Sequence, residues 1–396
     1  MRSLVPDVGT SRSSEAMNSS AVTASTRYDL EAPAVALCSR TGTPRGTDDG
    51  DGTSPYTFEE ALQGILAEGS RTAASLGLGY RRLWAALAAA TGGKRSRPAL
   101  FMATYRAWGG TDDRAAALVG AAIELLHTAF VVHDDVIDGD DTRRGLPNVS
   151  GWHVGQAREV GVEESRACEY GATAGILAGD LALAAAIRAV ATCPAPRPTV
   201  LSLLDLFDRA LHTSAAGELA DVWMSLGVHQ AALEETLTVE ERKTGVYSFS
   251  LPLQAGVVLA NGSTEAVDRA GEVGRYLGIA YQLVDDINGV FGDSTITGKS
   301  TLSDLRSGKQ TPLIAHARTT AHWPDIAPYV GRADLSDVQA ACVRQLLTDN
   351  GSLRFVEELA GVYADGALTL CREMEMPPAL VTWIDAMATD LLTRAA

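Results

Sequence analysis

Ile123 to Gly145 reads I-E-L-L-H-T-A-F-V-V-H-D-D-V-I-D-G-D-D-T-R-R-G, an apolar helical run that ends in acids followed by two arginines. Asp134 and Asp138 are four residues apart. At 3.6 residues per turn their carboxylates share one helix face, with Asp135 about 100° round. Acids buried without a partner cost several kcal/mol or neutralise, so such a helix end must meet something positive. Oxygen donors with no Cys or clustered His suit a hard ion, Mg²⁺ above all. A lone D-D-x-x-D could equally be a solvated acidic helix end. A second pair, Asp285 and Asp286, closes another apolar run, G-I-A-Y-Q-L-V-D-D-I-N-G-V-F-G-D. Two such helices facing each other across a bundle would make a two-sided metal clamp for a diphosphate. Cations to hold its remaining charge lie nearby in the sequence: Lys94, Arg97, Arg143, Arg144, Lys243, Lys299 and Lys309.

The elements that must position these groups read as helix after helix. Residues 1–54 are rich in Ser, Thr, Gly and Asp without apolar period, which predicts a disordered tail; residues 55–396 show no composition break and predict a single domain. Apolar spacing predicts helices over Phe58–Leu78 and Tyr80–Ala90, with Thr91-Gly92-Gly93 stopping the second. Lys94 and Arg97 then sit three apart at the start of the next helix, able to lean toward one anion. Thr111-Asp112-Asp113 is the expected N-cap of the helix reaching Asp138, and Gly139 to Gly155 reads as a loop. Helices follow at Glu163–Thr192, Thr199–Leu226, Thr238–Phe249 and Ala266–Asn288, then a loop over Asp293–Lys309 and helical runs over 311–318, 335–348, 352–374 and 378–394. The small residues at 175–186 permit either close helix contact or a groove. Glu218 and Asp221, three apart, read as a solvated or internally paired face. The fold class is therefore all-α.

Composition limits the partners. With a net charge of −16, nucleic acid and an anionic membrane surface are poor fits, so a local basic cluster is the more informative. The five cysteines, Cys38, Cys168, Cys193, Cys342 and Cys371, are dispersed and contain no C-x-x-C. They fit neither a disulfide framework nor a zinc site and point to a reducing cytoplasm. The expectation is no membrane span and no secretory signal.

G-G-K-R-S-R-P (92–98), H-D-D-V-I-D-G-D-D-T-R-R-G (133–145), K-T-G (243–245), Y-Q-L-V-D-D-I-N-G-V-F-G-D (281–293) and T-G-K-S…D-L-R-S-G-K-Q-T (297–311) stand in one order over a region spanning residues 56–396. Together they resemble the trans-isoprenyl diphosphate synthases, most of all the bacterial geranylgeranyl diphosphate synthases. The resemblance implies a single large helical bundle around a central cavity, homodimerisation and three Mg²⁺ ions. It implies head-to-tail condensation of isopentenyl diphosphate with an allylic diphosphate. Asp134, Asp135, Asp138, Asp285 and Asp286 would serve the metals. Lys94, Arg97, His127 and Arg144 would serve isopentenyl diphosphate, and Arg143 and Lys243 the allylic diphosphate, with Lys299 and Lys309 reaching toward the phosphates. Lys243, Thr244 and Gln282 would line the region where positive charge develops. The fifth position of the second motif is Gly289 rather than an acid, a departure that weakens the case for a third ligand there.

His127 is two turns, ~10 Å, below Asp134, and Phe130 one turn, ~6 Å, below it on the same face. His127 could also be a satisfied core histidine. A hydrocarbon tail running down this face would meet the Phe130 ring, with the small Ala129 beside it. In the resembled family, large residues here shorten the product, so this pair suggests fifteen to twenty carbons, with twenty favoured. The rivals are a terpene cyclase, which lacks support because no N-D-x-x-S-x-x-x-E follows, a non-catalytic partner subunit, and a carboxylate-rich metal-storage bundle, which would need paired Glu-x-x-His.

Overall fold

Thr57 opens the first helix with a reciprocal cap: its hydroxyl accepts from the Glu60 N–H at 3.3 Å, and the Glu60 carboxylate accepts from the Thr57 N–H at 2.8 Å. The computed structural model describes residues 57–292 and 302–394. The expected tail and Lys299 lie outside the described residues. Helices follow in the order α1 (Phe58–Ala74), α2 (Leu78–Ala90), α3 (Ser96–Ala107), α4 (Asp113–Asp138), α5 (Val149–Glu159), α6 (Glu164–Ala191) and α7 (Arg197–Ser225). Then α8 (Leu233–Glu240), a π-helical stretch (Glu241–Ser250) and α9 (Leu251–Leu259) run on without a break, and α10 (Thr264–Phe291) follows after a short turn. Further helices span Ser303–Ser307, Pro312–Ala317, Trp323–Ile326, Asp337–Asp349, Ser352–Glu373 and Pro378–Thr393. The all-α expectation holds. Among the described residues the only sheet is a two-residue hairpin, Thr142–Arg143 against Leu146–Pro147.

The loop expected over 139–155 needs correction. It contains that hairpin, and α5 already begins at Val149, because the Asn148 side chain accepts from the Gly151 N–H at 2.8 Å and caps the helix. Likewise the first expected helix breaks early, at Ser75, and the 293–309 segment carries a short helix at its end.

α4 is the central element. Its N-cap is Asp112, as expected, and Gly139 ends it in the left-handed conformation at φ +70°. It lies against α6, whose Gly175 and Gly179 stand where a Cβ would strike Val136 and the His133 ring. The small residues of α6 therefore serve close contact and seat the last turn of α4, which carries the first acidic motif. Each motif helix has its own apolar support. Ile123, Leu125, Leu126 and Val132 of α4 pack with Leu62, Leu87, Phe101 and Phe207. Ile279, Leu283, Ile287 and Val290 of α10 pack with Val343, Leu347, Val356 and Ala360.

By length and composition α4 and α6 are apolar enough to cross a membrane. In α4 that apolar stretch is 78% buried inside the protein, in α6 only 44%.

Candidate active site

The hairpin after α4 aims two arginines in different directions. Arg144 and Gly145 both hold positive φ, +55° and +75°, which is the geometry of a tight two-residue turn. Arg143 folds back onto α4: its Nε donates to Asp135 Oδ1 at 2.8 Å, and Nη2 lies 2.6 Å from that oxygen and 3.3 Å from Asp134 Oδ2. Asp135 is buried, and burial pushes its carboxyl up while Arg143 draws it back down. Asp138 has no such partner. Desolvation, then the neighbouring Asp134 charge, push its carboxyl up to about 6, with Lys243 opposing.

Arg144 turns the other way. Its guanidinium covers the Gly92-Gly93 backbone so closely that a Cβ on Gly93 would come within 2.7 Å of Nη2. The glycine loop is thus a seat for this arginine, beside exposed Lys94. Arg97 donates from Nε to Ser248 Oγ at 3.0 Å and stacks its guanidinium 5.2 Å from the Tyr247 ring centre. The His127 ring stacks 6.0 Å from that same Tyr247 ring, and its Nδ1 is buried without a partner. Burial, then Arg97, Arg144, Arg143 and Arg95, hold its imidazole well below the usual pKa, hence neutral. A neutral ring with a spare nitrogen, in the positive field of four arginines, is an environment that an anion would complete.

Lys243 lies on the π-helical stretch, a backbone form that recurs at functional sites. Gly217 lets α7 touch the backbone at Lys243, which sets Glu218 and Asp221 opposite its ammonium. Lys243 Nζ donates to Asp221 Oδ2 at 2.8 Å and to Glu218 Oε1 at 3.1 Å, and stands 3.4 Å from Asp134 Oδ1. Burial would lower its pKa, but Asp221, Asp134 and Glu218 together raise it above its ordinary value, so the charge is retained. Glu218 and Asp221 are therefore internally paired, and the pairing brings them into the site. Thr244, next on the π-helical stretch, is half-buried. Phe130 is half-buried, its ring 4.7 Å from that of Tyr247, while Ala129 is buried.

On α10 the two aspartates part company. Asp285 is exposed, whereas Asp286, about 100° round the helix, is 1% exposed and turned inward. Asp286 Oδ1 accepts from Lys309 Nζ at 3.0 Å and from Gln282 Nε2 at 3.3 Å. The expected metal role of Asp286 and the expected phosphate role of Lys309 thus meet a direct pairing between the two. Glu240 is buried beside them, and burial followed by the Asp286 charge pushes its carboxyl well above the carboxylate range. Asp221 joins this group to the first motif, since its charge acts on Lys309 as well as on Lys243.

Among the described residues no three His, Cys, Asp or Glu side chains are already gathered to hold a metal ion. Arg143 and Lys243 stand among the acids of the first motif instead. The oxygen-only donor set and the raised Asp138 carboxyl fit a hard divalent ion. Sequence reasoning missed Arg95, Tyr247 and Glu240. Arg95 lies inside the G-G-K-R-S-R-P run, and its guanidinium reaches Glu124 Oε1 at 2.6 Å, the Thr91 carbonyl at 2.8 Å and Glu59 at 3.3 Å. It ties the glycine loop to α1 and α4.

Residues 83–340 match the polyprenyl synthetase family. The geranylfarnesyl diphosphate synthase of Aeropyrum pernix is 32% identical over 312 residues, 76% of this chain and 87% of that one. The (2E,6E)-farnesyl diphosphate synthase of Mycobacterium tuberculosis is 29% identical over 312 residues, 77% of this chain and 80% of that one. A geranylgeranyl pyrophosphate synthase from Corynebacterium glutamicum, solved with isoprenyl diphosphate and magnesium, superposes with a TM-score of 0.78 at 27% identity, covering 86% of this chain and 100% of that one. On sequence, fold and ordered motifs together, the chain belongs to the polyprenyl synthetase family, all-α prenyltransferases that make trans-prenyl diphosphates.

Proposed function

We propose that this chain condenses isopentenyl diphosphate head-to-tail with an allylic diphosphate in a Mg²⁺-dependent reaction, giving an all-trans product of twenty carbons. The observation that carries this is the division of the site into two charge regions. Asp134, Asp135 and Asp138 form an acidic mouth, and neutral His127 lies in the positive field of Arg97, Arg144, Arg143 and Arg95. Arg143 belongs to both. One diphosphate suits the acidic side by way of divalent ions, and the other suits the arginines directly.

Asp134, Asp135, Asp138 and Asp285 would hold Mg²⁺, which when bound would supply the charge neutralisation that makes the allylic diphosphate a better leaving group. Lys243 and Arg143, paired with the acids, are placed to turn toward the same phosphate oxygens. Lys94, Arg97, Arg144 and His127 hold isopentenyl diphosphate. When the allylic C–O bond breaks, its electron pair leaves with the diphosphate. The isopentenyl double bond then forms the new C–C bond, and a proton passes to the released diphosphate. Thr244 and Gln282 face the developing cation with oxygen dipoles. Asp286 acts through Lys309, which it holds in place, and Lys299 completes the phosphate cations.

Product length rests on Phe130 and Ala129, whose relatives carry names that range from fifteen to twenty-five carbons. A second copy of the chain covers the exposed apolar residues Ile176 and Leu177 of α6, Leu219 and Trp223 of α7, and Leu226 just beyond it. The free thiols of Cys168 and Cys342 fit the cytoplasm. A non-catalytic partner subunit would not be expected to keep acids, arginines and lysines in these mutual pairings. Incubation with Mg²⁺, isopentenyl diphosphate and primers of five, ten and fifteen carbons tests the reading. A product of twenty carbons is expected, and no prenyl product from any primer overturns it.

A further inference from the structure

The second acidic motif runs Asp285-Asp286-Ile287-Asn288-Gly289, so α10 offers no side chain where the pattern of its family has a third acid. Position 289 lies one turn beyond Asp285, on the same face of the helix. That place is filled from elsewhere. The carboxylate of Asp304, on the short helix Ser303–Ser307, sits over Gly289, where a Cβ would overlap Oδ2 and come within 3.1 Å of Cγ.

The placement is built into the surrounding chain. Leu305 is buried, and its carbonyl accepts from the Gly331 N–H at 2.8 Å. Arg306 donates from Nη2 to the Leu335 carbonyl at 2.7 Å, and the Lys309 N–H donates to the Asp304 carbonyl at 3.0 Å. The same Lys309 holds Asp286 by its ammonium, and the buried Glu240 carboxyl hydrogen-bonds the Asp286 carboxylate. The backbone of Asp304 and the side chain of Asp286 thus fix one lysine from two sides.

We propose that Asp304 is the third carboxylate of the second motif, supplied from outside α10, and that it works with Asp285 on the divalent cation carrying the diphosphate. The inference deepens the function proposed above and rests on it. Gly289 is then a requirement of the arrangement: restoring an acid there would put two carboxylates into one space.

The test compares Asp304→Asn, Gly289→Asp and the double variant Gly289→Asp/Asp304→Gly, which returns the carboxylate to α10. The readout is the Mg²⁺ concentration giving half-maximal thermal stabilisation in the presence of inorganic pyrophosphate, with far-UV circular dichroism as the control for folding. Asp304→Asn should need about tenfold more Mg²⁺. Gly289→Asp should be impaired as well, and the double variant should return to within about threefold of the parent, as coupled neighbours do. A wild type that responds while Asp304→Asn responds identically overturns the inference alone, as does a double variant no better than Gly289→Asp. A wild type that neither makes prenyl product nor responds to Mg²⁺ with pyrophosphate overturns the functional reading and this inference with it.

Discussion

The Lys243 ammonium stands 2.8 Å from Asp221 Oδ2 and 3.4 Å from Asp134 Oδ1, so one cation joins α7 to the mouth of α4. It is held there before any phosphate arrives. Asp221→Asn weakens that hold, and a misplaced reacting group costs about 10²-fold. The expected outcome is a kcat reduced by up to that factor, with the KM for the allylic primer raised and that for isopentenyl diphosphate unchanged. Steady-state kinetics on both substrates decide it, and equal changes in the two KM values would count against the role given to Lys243.

Asp134→Ala and Asp285→Ala each remove an acid assigned to the metal-bound diphosphate. Loss of several kcal/mol of charge stabilisation corresponds to a fall in turnover of about three orders of magnitude. The helical circular dichroism should be retained. Near-normal turnover by either variant at saturating Mg²⁺ would show the acids to be wrongly assigned.

Phe130 closes against Tyr247, with ring centres 4.7 Å apart, one turn below Asp134. Phe130→Ala opens that face, and products longer than the parent's are expected by chromatography. An unchanged product distribution would return Phe130 to a packing role.

The Asp138 carboxyl, pushed up to about 6 by desolvation and then Asp134, sets a pH dependence. Above that value it is ionised and available to a cation; below it a proton occupies the same oxygens. The Mg²⁺ concentration for half-maximal activity should therefore rise as pH falls from 7 toward 5. For stability the sign is opposite: the folded state binds this proton more tightly than the unfolded chain, so this group favours folding increasingly as pH falls through 6. Asp138→Asn should flatten the Mg²⁺ dependence, and an unaltered pH profile in that variant would exclude Asp138 as its source.

Arg95 and Glu124 form a pair at 2.6 Å in which the Glu124 side chain is only 3% exposed. Arg95→Met leaves that carboxylate buried and uncompensated, at a cost of about 3–5 kcal/mol. Denaturant unfolding should show the loss, and Arg95→Met/Glu124→Leu should recover most of it. A single variant as stable as the parent would mean that the loop is braced by other contacts.

Much of the site could be read from spacing because its groups lie on helices with a fixed period. Asp134 and Asp138, Lys94 and Arg97, and Lys243-Thr244 at the end of a helical run all follow from local geometry. Long-range pairings could not be read this way. Glu218 and Asp221 read as a solvated or internally paired face, and only α7 crossing the π-helical stretch at Gly217 shows that they are paired and that their partner is Lys243. The small-residue run of α6 was compatible with two uses until His133 and Val136 were found against Gly179 and Gly175. The Asn148 cap was visible in principle, as an Asn three residues before a glycine, but a polar stretch with arginines hid it.

The sequence by itself determined the all-α class, the two acidic helix ends and the basic residues that accompany them, since periodicity and residue type are local properties of the chain. Tertiary structure alone decided which acid faces which cation. Asp285 is exposed while Asp286 turns inward to Lys309, and Asp304 comes to lie over Gly289 from a separate helix. Those outcomes depend on how neighbouring helices are rotated about their axes and how closely glycines let them approach, and no single segment carries that information.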